Sequence, residues 1–229
     1  MSPIVFEYSF YFPNGITKDF FVELDPDTLL LIAQNKIFPE WAILTNNQCA
    51  CCTLNSAANK YCPIAANIAE LVFTFKDSAS YDSCHVTCTT SERKISKDTI
   101  VQEGLSSIMG IVMATSGCPV MNILKPMARF HLPFATVDEA MYRSVSVYLL
   151  RQYFIHLENG RSDFHLEKVK SYYRKIEIVN EGILRRVKHA TKMDADKNAI
   201  VILNCLAQFL YLELDDNLQS LQHIFKSSY

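Results

Sequence analysis

The sequence has little glycine and little tryptophan, with six glycines and one tryptophan in 229 residues. It contains no glycine-rich phosphate loop, no Gly-x-Ser-x-Gly nucleophile motif and no His-Glu-x-x-His zinc motif. Internal repeats and low-complexity segments are absent as well. No familiar catalytic motif therefore names a reaction for this chain.

Neither sign of charge is in large excess: the sequence has 22 Lys and Arg and 24 Asp and Glu, which gives a formal net charge of -2. This balance gives no electrostatic reason to expect nucleic acid or an anionic membrane as a partner. Hydrophobic residues make up 49% and charged residues 20%, which is typical of a globular protein and excludes extended disorder. We expect a globular protein that binds neither nucleic acid nor membrane, and a protein partner or a homo-oligomer stays open.

The first residues, Met1–Glu7, lack the basic and apolar regions of a secretory signal. We therefore expect a cytoplasmic location, where cysteines stay reduced and metal binding is favoured over disulfides. The stretch Gly104–Leu124 has no charged residue, but Gly117 and Pro119 interrupt it. We interpret it as a buried helix followed by a turn and not as a membrane span.

Alternating apolar and polar residues predict strands in the first part of the chain. Ile4–Phe12 and Ile16–Leu24 flank the turn residues Pro13-Asn14-Gly15, which predicts a β-hairpin. Ser83–Thr89 and Arg93–Ser96 predict a second hairpin. About four strands are thus expected before residue 98.

The remainder of the chain has helical patterns. Capping boxes predict helices that begin at Thr99 and Thr136, a longer helix is expected to begin at Asp163, and another spans 195–214. We expect the tail from Asp215 to be frayed. The predicted fold is α+β: a small antiparallel sheet with a cysteine loop in residues 1–98, then a mostly helical bundle in 99–229. We expect the two parts to pack as one unit through the cysteines.

Four of the eight cysteines form the most informative pattern in the sequence. Cys49 and Cys52 make a Cys-x-x-Cys pair, Cys62 follows ten residues later, and Cys118 lies 56 residues beyond Cys62. A proline directly follows Cys62 and Cys118 and opens an apolar run in each case, so both cysteines are expected at helix N-termini. Free backbone N–H groups and the helix dipole favour a thiolate there. We predict that these four cysteines bind one metal.

The other cysteines show no comparable placement, and we interpret them as small buried apolar residues: Cys51, Cys84, Cys88 and Cys205. His131 is expected to be a hydrogen-bonded structural histidine in preference to a metal ligand. Arg129, two residues before it, is a candidate to offset thiolate charge if it faces the site.

The identity of the metal stays open between two choices. Closed four-thiolate sites are common for zinc, which favours zinc. The single Cys-x-x-Cys pair and the long interval before Cys118 are closer to the irregular ligand sets of iron–sulfur proteins, so a four-iron four-sulfur cluster is the alternative. Whether the protein is an enzyme also stays open: in place of a structural or regulatory metal site, Cys49 and Cys52 can serve as the dithiol of a redox enzyme.

Four segments together resemble an uncharacterised bacterial family whose members carry Gln-Cys-x-x-Cys-Pro-Leu, a later Cys-Pro, Met-Ala-Thr-Ser-Gly-Cys-Pro and Arg-Phe-His-Leu-Pro. Here the corresponding segments are Gln48–Leu54, Cys62-Pro63, Met113–Pro119 and Arg129–Pro133. The resemblance covers nearly the whole chain, supports the choice of cysteines and implies no activity or substrate. The sequence departs from the family by having Thr53 in place of proline and by adding Cys51, so Cys51 remains an alternative to Cys52 as a ligand.

Overall fold

The computed structural model describes residues 2–32, 38–188, 190, 194–216 and 218–226. Within these ranges an antiparallel sheet with one packed helix is followed by a helical bundle. The predicted α+β class, with a four-stranded sheet ahead of the helical part, is confirmed.

The four strands of this sheet lie in the order β2-β1-β3-β4. β1 (Ile4–Tyr11) and β2 (Thr17–Leu24) form the first hairpin, and β3 (Ser83–Thr89) and β4 (Lys94–Ile100) form the second. The two hairpins join through β1 and β3, where Tyr8 lies opposite Cys88. Both predicted hairpins are confirmed, and β4 extends two residues beyond the boundary that we expected at residue 98.

One face of the sheet is buried in the core of the protein. Alternate residues of β1, including Tyr8 and Phe10, are fully buried, as the period of a strand requires. The helices α1 (Pro63–Phe75) and α2 (Val101–Thr115) pack against each other, and α2 also contacts the sheet. Gly104 allows this close approach, because a Cβ at that position would lie 2.5 Å from the Phe10 ring.

The rest of the chain forms the helical bundle. Its helices are α3 (Lys125–Arg129), α4 (Val137–Leu157), α5 (Glu167–Val187), α6 (Ala195–Asp215) and α7 (Gln219–Phe225). α6 packs along α5 and also against α2, so it connects the bundle to the helix that touches the sheet. The two predicted parts therefore share one core cluster of buried side chains.

One of the two predicted capping boxes is present. Thr136 accepts the N–H of Glu139 at 3.2 Å, and the Glu139 carboxylate accepts the N–H of Thr136 at 2.7 Å. The box predicted at Thr99 is wrong, because Thr99 belongs to β4 and its hydroxyl donates to the Glu103 carboxylate. α2 begins at Val101 without a side-chain cap.

Two other helix boundaries differ from the prediction. α5 begins at Glu167, four residues after Asp163. Asp163 instead caps the helix from outside, since its carboxylate accepts the N–H groups of Glu167 and Lys168 at 3.1 and 2.8 Å. The expectation of a frayed tail is also wrong within the described residues: α7 forms there and buries Leu221.

The uncharged stretch 104–124 behaves as predicted, because α2 ends at Thr115 and Gly117 takes a left-handed φ of 88°. Among the described residues, α6 alone is long and apolar enough to cross a membrane by length and composition. One face of α6, with Ala199, Ile200 and Leu210, is buried in the core of the protein.

Candidate metal centre

The Cys-x-x-Cys pair lies in a loop that precedes α1. The N–H of Cys52 donates to the carbonyl of Cys49 at 2.9 Å and closes a turn. The side-chain amide of Gln48 donates to the carbonyl of Leu54 at 3.0 Å, which ties the start of the motif to its end. The motif is therefore a closed turn with both thiols partly buried.

Cys62 is held rigidly at the start of α1. It is the N-cap residue, Pro63 occupies the first turn, and the side chain is 7% exposed. Its N–H donates to the carbonyl of Ala42 at 2.8 Å, so the backbone is fixed on both sides. The predicted placement of Cys62 is confirmed.

Cys118 directly follows the left-handed Gly117 and is buried. Its sulfur accepts hydrogen bonds from the backbone N–H groups of Val120 and Met121, which lower the pKa of the thiol. Burial has the larger effect and raises that pKa overall. The predicted helix after Pro119 is shorter than expected: a 3-10 turn spans Met121–Leu124 and α3 follows it. The N–H groups still point at the sulfur, as expected of an anion-binding turn.

The four predicted ligands are neighbours in the structure. Burial raises the pKa of Cys49 to about 12, and the charges of Cys62 and, to a smaller extent, Cys118 act in the same direction. Burial also dominates at Cys118, where the charges of Cys62 and Cys52 raise the pKa further. Thiols affect one another in this way only when they are close. Cys49, Cys62 and Cys118 thus influence one another electrostatically, and Cys52 influences Cys118, although these residues come from three separate stretches of the chain.

Helix α5 places a buried cation beside these thiols. Arg186 is 2% exposed, and its guanidinium donates to the carbonyls of Trp41, Ile43 and Leu44 at 2.7 to 2.9 Å. Within the described residues it forms no ion pair with a carboxylate, and its Nε has no hydrogen-bond partner. Its charge lowers the pKa of Cys49. A buried cation of this kind calls for an anionic neighbour.

Gly182 brings α5 close to the loop, one helical turn before Arg186. A Cβ at Gly182 would lie 2.6 Å from the sulfur of Cys49 and 3.7 Å from its Cβ. Only glycine leaves room for the sulfur at this distance. Cys49 thus lies in a notch of α5 that places its sulfur between the helix and the other thiols.

The thiols are neighbours without forming a closed ligand shell. Across the ranges that the structure describes, no group of three or more His, Cys, Asp or Glu side chains is arranged as a metal site. The donor set nevertheless fits zinc or an iron–sulfur cluster, both of which take four thiolates. The raised pKa of Cys49 means that this thiol holds its proton at neutral pH, so metal binding must displace that proton.

Cys52 and Cys51 have different surroundings. The charge of Cys52 raises the pKa of Cys118, whereas the charge of Cys51 raises the pKa of Cys49. The Cys51 thiol also donates to the carbonyl of Lys175 at 3.7 Å. Each of these two cysteines therefore influences one of the other predicted ligands, and Cys51 is in addition hydrogen-bonded to α5. A reactive dithiol needs a lowered thiol pKa, and the raised pKa of Cys49 does not support that alternative.

The remaining cysteines follow the prediction only in part. Cys84 and Cys88 are buried on β3, as predicted. Cys51 is half-buried, and the prediction for Cys205 is wrong because this residue is exposed. Cys205 lies on the outer face of α6 at four-residue spacing from Val201 and Phe209, which are also exposed.

His131 and Arg129 lie in a different part of the protein. His131 Nε2 forms a hydrogen bond of 2.5 Å with the Tyr8 hydroxyl, which confirms the prediction of a hydrogen-bonded histidine. Arg129 lines a cavity with His131 and Cys88. The cation beside the thiols is Arg186, which the sequence reasoning missed. The sequence feature that points to burial of Arg186 is its helical spacing: it lies four residues after Gly182 and seven after Val179, on the buried side of α5.

The fold and its thiol cluster define an α+β protein in which a cysteine loop is packed beneath a helix of the C-terminal bundle. Over residues 6–226 the chain matches the family model described as Domain of unknown function (DUF6901), and it belongs to that family. The expected membership of an uncharacterised family is thereby confirmed. A comparison with curated proteins finds no match, and neither does a comparison with solved structures.

Proposed function

We propose that this chain is a cytosolic metal-binding protein in which Cys49, Cys52, Cys62 and Cys118 hold one metal in a structural or regulatory role. The observation that supports the proposal is the mutual electrostatic influence of these thiols, which come from three separate stretches of sequence. Zinc is the proposed metal, because four thiolates form its common closed structural site. A four-iron four-sulfur cluster is the alternative, since it takes the same ligands.

The buried guanidinium of Arg186 supports an anionic site. Zinc with four thiolates carries two negative charges, and burial of such a group needs compensation. Arg186 is fixed by three backbone carbonyls beside Cys49, so it supplies one positive charge without reorganisation. The N–H groups that point at the sulfur of Cys118 add to this compensation.

The division of the ligands between rigid and adaptable segments supports closure of the site. Cys62 and Cys118 are anchored at the starts of α1 and of the 3-10 turn, whereas Cys49 and Cys52 are in a loop. Zinc–sulfur bonds are about 2.3 Å long, so metal binding must draw the loop thiols towards the two anchored thiols. The metal then ties this loop to α1 and to the chain after α2.

Metal content tests the proposal most directly. Protein purified without oxygen should contain one zinc ion per chain by elemental analysis and be colourless. Brown protein with broad visible absorbance, bleached by dithionite, would establish the iron–sulfur alternative in place of zinc. Protein that carries neither zinc nor iron would contradict the metal proposal.

Two variants sharpen this test, because each removes one buried thiol. Cys118→Ser should abolish metal binding, while the matched Cys84→Ser, which is equally buried on β3, should keep one ion per chain. Equal metal content in the two variants would contradict the choice of ligands. If the unmodified protein instead contains no metal and readily forms a Cys49–Cys52 disulfide, the dithiol alternative applies.

A further inference from the structure

A cavity of about 230 Å³ is lined by β1, by β3 and β4 with the turn between them, and by the end of α3 with the connector that follows it. Its walls are partly apolar, with Phe6, Ile95 and Pro133 among the lining residues. Arg93 and Arg129 line the same cavity, and both are exposed. The volume is below that of most drug-sized ligand pockets, so a small molecule fits it best.

The two arginines are available to a ligand. Neither forms an ion pair with a carboxylate anywhere in the part of the chain that the structure describes. Glu92, the carboxylate that also lines the cavity, has a lowered pKa, mainly because its neighbours Ser91 and Thr90 hydrogen-bond to it and to a smaller extent because of the charge of Arg129. Arg129 therefore interacts with Glu92 at longer range than an ion pair, and a ligand carboxylate competes with Glu92 for it. Guanidinium groups bind carboxylates through two parallel hydrogen bonds, so these arginines favour a carboxylate ligand.

An exposed aromatic ring adjoins the arginines. Phe130 lines the cavity with 74% of its surface exposed, and the Arg129 guanidinium lies 5.8 Å from the centre of its ring. An apolar ligand body in the cavity would cover part of this ring. The opening therefore offers both charge and apolar surface to one ligand.

A chain of hydrogen bonds connects His131 to Tyr8 and Ser107. The backbone N–H of Phe134 donates to Ser107 Oγ at 3.3 Å, Ser107 Oγ lies 3.0 Å from the Tyr8 hydroxyl, and that hydroxyl lies 2.5 Å from His131 Nε2. The Tyr8 hydroxyl is also hydrogen-bonded to Cys88. When Ser107 donates to Tyr8 and Tyr8 donates to His131, each of the two hydroxyl protons has an oxygen or nitrogen acceptor. Nε2 of His131 is then the acceptor, and its proton is on Nδ1.

His131 contributes a neutral imidazole ring to the cavity wall. Burial lowers the pKa of His131 to about 3, so the ring stays uncharged at neutral pH. Nδ1 has no hydrogen bond to the described residues, whereas Nε2 is occupied by Tyr8. A neutral N–H donor suits a carbonyl or hydroxyl oxygen on the ligand body.

We propose that this cavity binds a small organic carboxylate whose apolar body carries one hydrogen-bond acceptor. Arg93 and Arg129 bind the carboxylate at the opening, and His131 Nδ1 donates to the acceptor deeper in the cavity. This cavity shares no residue with the four-thiol site, so the two proposals can be tested independently of each other.

Three probes of similar size separate the contributions of the negative charge and of the hydrogen-bond acceptor to binding by the 229-residue chain. 4-Oxopentanoate has both groups, pentanoate lacks the acceptor, and 4-oxopentanamide lacks the charge. Titrations followed by amide NMR should show saturable shifts at Thr90, Ile95 and Phe130 for 4-oxopentanoate. Pentanoate should bind about tenfold more weakly for the loss of one hydrogen bond. The amide should bind more weakly still. No shift with any probe, or equal shifts with acid and amide, would overturn the proposal.

Variants of surface arginines provide the matched control. Arg129→Gln and Arg93→Gln should each weaken binding of 4-oxopentanoate at least tenfold, because each removes half of the carboxylate contact. Arg161→Gln also removes one exposed arginine but does not line the cavity, so it should leave binding unchanged. Equal weakening by all three variants would show a general charge effect and overturn the proposal.

Discussion

Substitution of Gly182 by alanine tests whether the notch in α5 positions a ligand sulfur. The added Cβ would lie 2.6 Å from the Cys49 sulfur but 3.7 Å from the Cys49 Cβ, so only the sulfur must move. In metal-free protein the thiol can rotate away at a cost of about 1 kcal/mol. Alanine offsets this with about 1 kcal/mol of higher helix propensity. The stability of metal-free Gly182→Ala should therefore stay close to that of the unmodified protein.

The metal-bound protein should respond differently, because a coordinated sulfur cannot rotate away. Gly182→Ala should then weaken zinc binding at least tenfold, or about 1.4 kcal/mol. Gly110→Ala is the matched control, since its added Cβ meets only Leu203 at 3.7 Å. It should add about 1 kcal/mol of stability by helix propensity and leave zinc affinity unchanged.

The assay is urea unfolding with a chelator and with buffered zinc, combined with a competition titration for zinc. The difference in unfolding free energy between the two conditions reports metal affinity through mass action. Zinc affinity of Gly182→Ala equal to that of Gly110→Ala would refute the reasoning. It would mean that the sulfur of Cys49 is not held against α5 when metal is bound.

The remaining predictions concern the cysteines and one buried acid. Cys62→Ser should lower the unfolding temperature far more than Cys84→Ser, which should cost about 1–3 kcal/mol as a buried apolar-to-polar change; similar melting would refute the division of the cysteines. Cys205→Ser should change stability by less than about 0.5 kcal/mol in urea, because Cys205 is exposed; a larger loss would contradict its position. Burial raises the pKa of Asp196 to about 7 from its ordinary 3.8, so the folded state holds this proton more tightly than the unfolded state. The free energy of unfolding should therefore fall as pH rises from about 4 to about 7, and Asp196→Asn should flatten that slope; an unchanged slope would refute the assignment.

Much of the sheet could be predicted because its signals are local. The strand period and the Pro13-Asn14-Gly15 turn define the first hairpin without reference to distant residues. Thr99 shows where local reasoning fails: its sequence fits both a capping box and the end of a strand. Pairing of Thr99 with Cys84 across β3 and β4 decides between them, and that pairing is not visible in the local sequence.

The candidate site could be predicted from its cysteines but not from its surroundings. The prolines after Cys62 and Cys118 predict helix N-termini; Cys62 is the N-cap of α1, whereas Cys118 precedes a 3-10 turn whose N-cap is Val120. Arg186 could not be found in this way, because its partners are backbone carbonyls of Trp41, Ile43 and Leu44, more than 140 positions earlier in the chain. Any residue type supplies a carbonyl, so no sequence pattern marks these acceptors.

The pairing of β1 with β3 has a consequence for the order of folding. Each hairpin closes locally, but the pairing of Tyr8 with Cys88 joins residues that are 80 positions apart in the sequence. Such non-local pairing slows folding, because loop closure must precede its stabilising contacts. The loop with Cys49 and Cys52 lies inside that connection, so its two ends are fixed in space only when the hairpins dock. During synthesis, the thiols of this loop thus emerge before β3, Cys118 and the helix α5 that contacts them, and their final arrangement is a late event of folding.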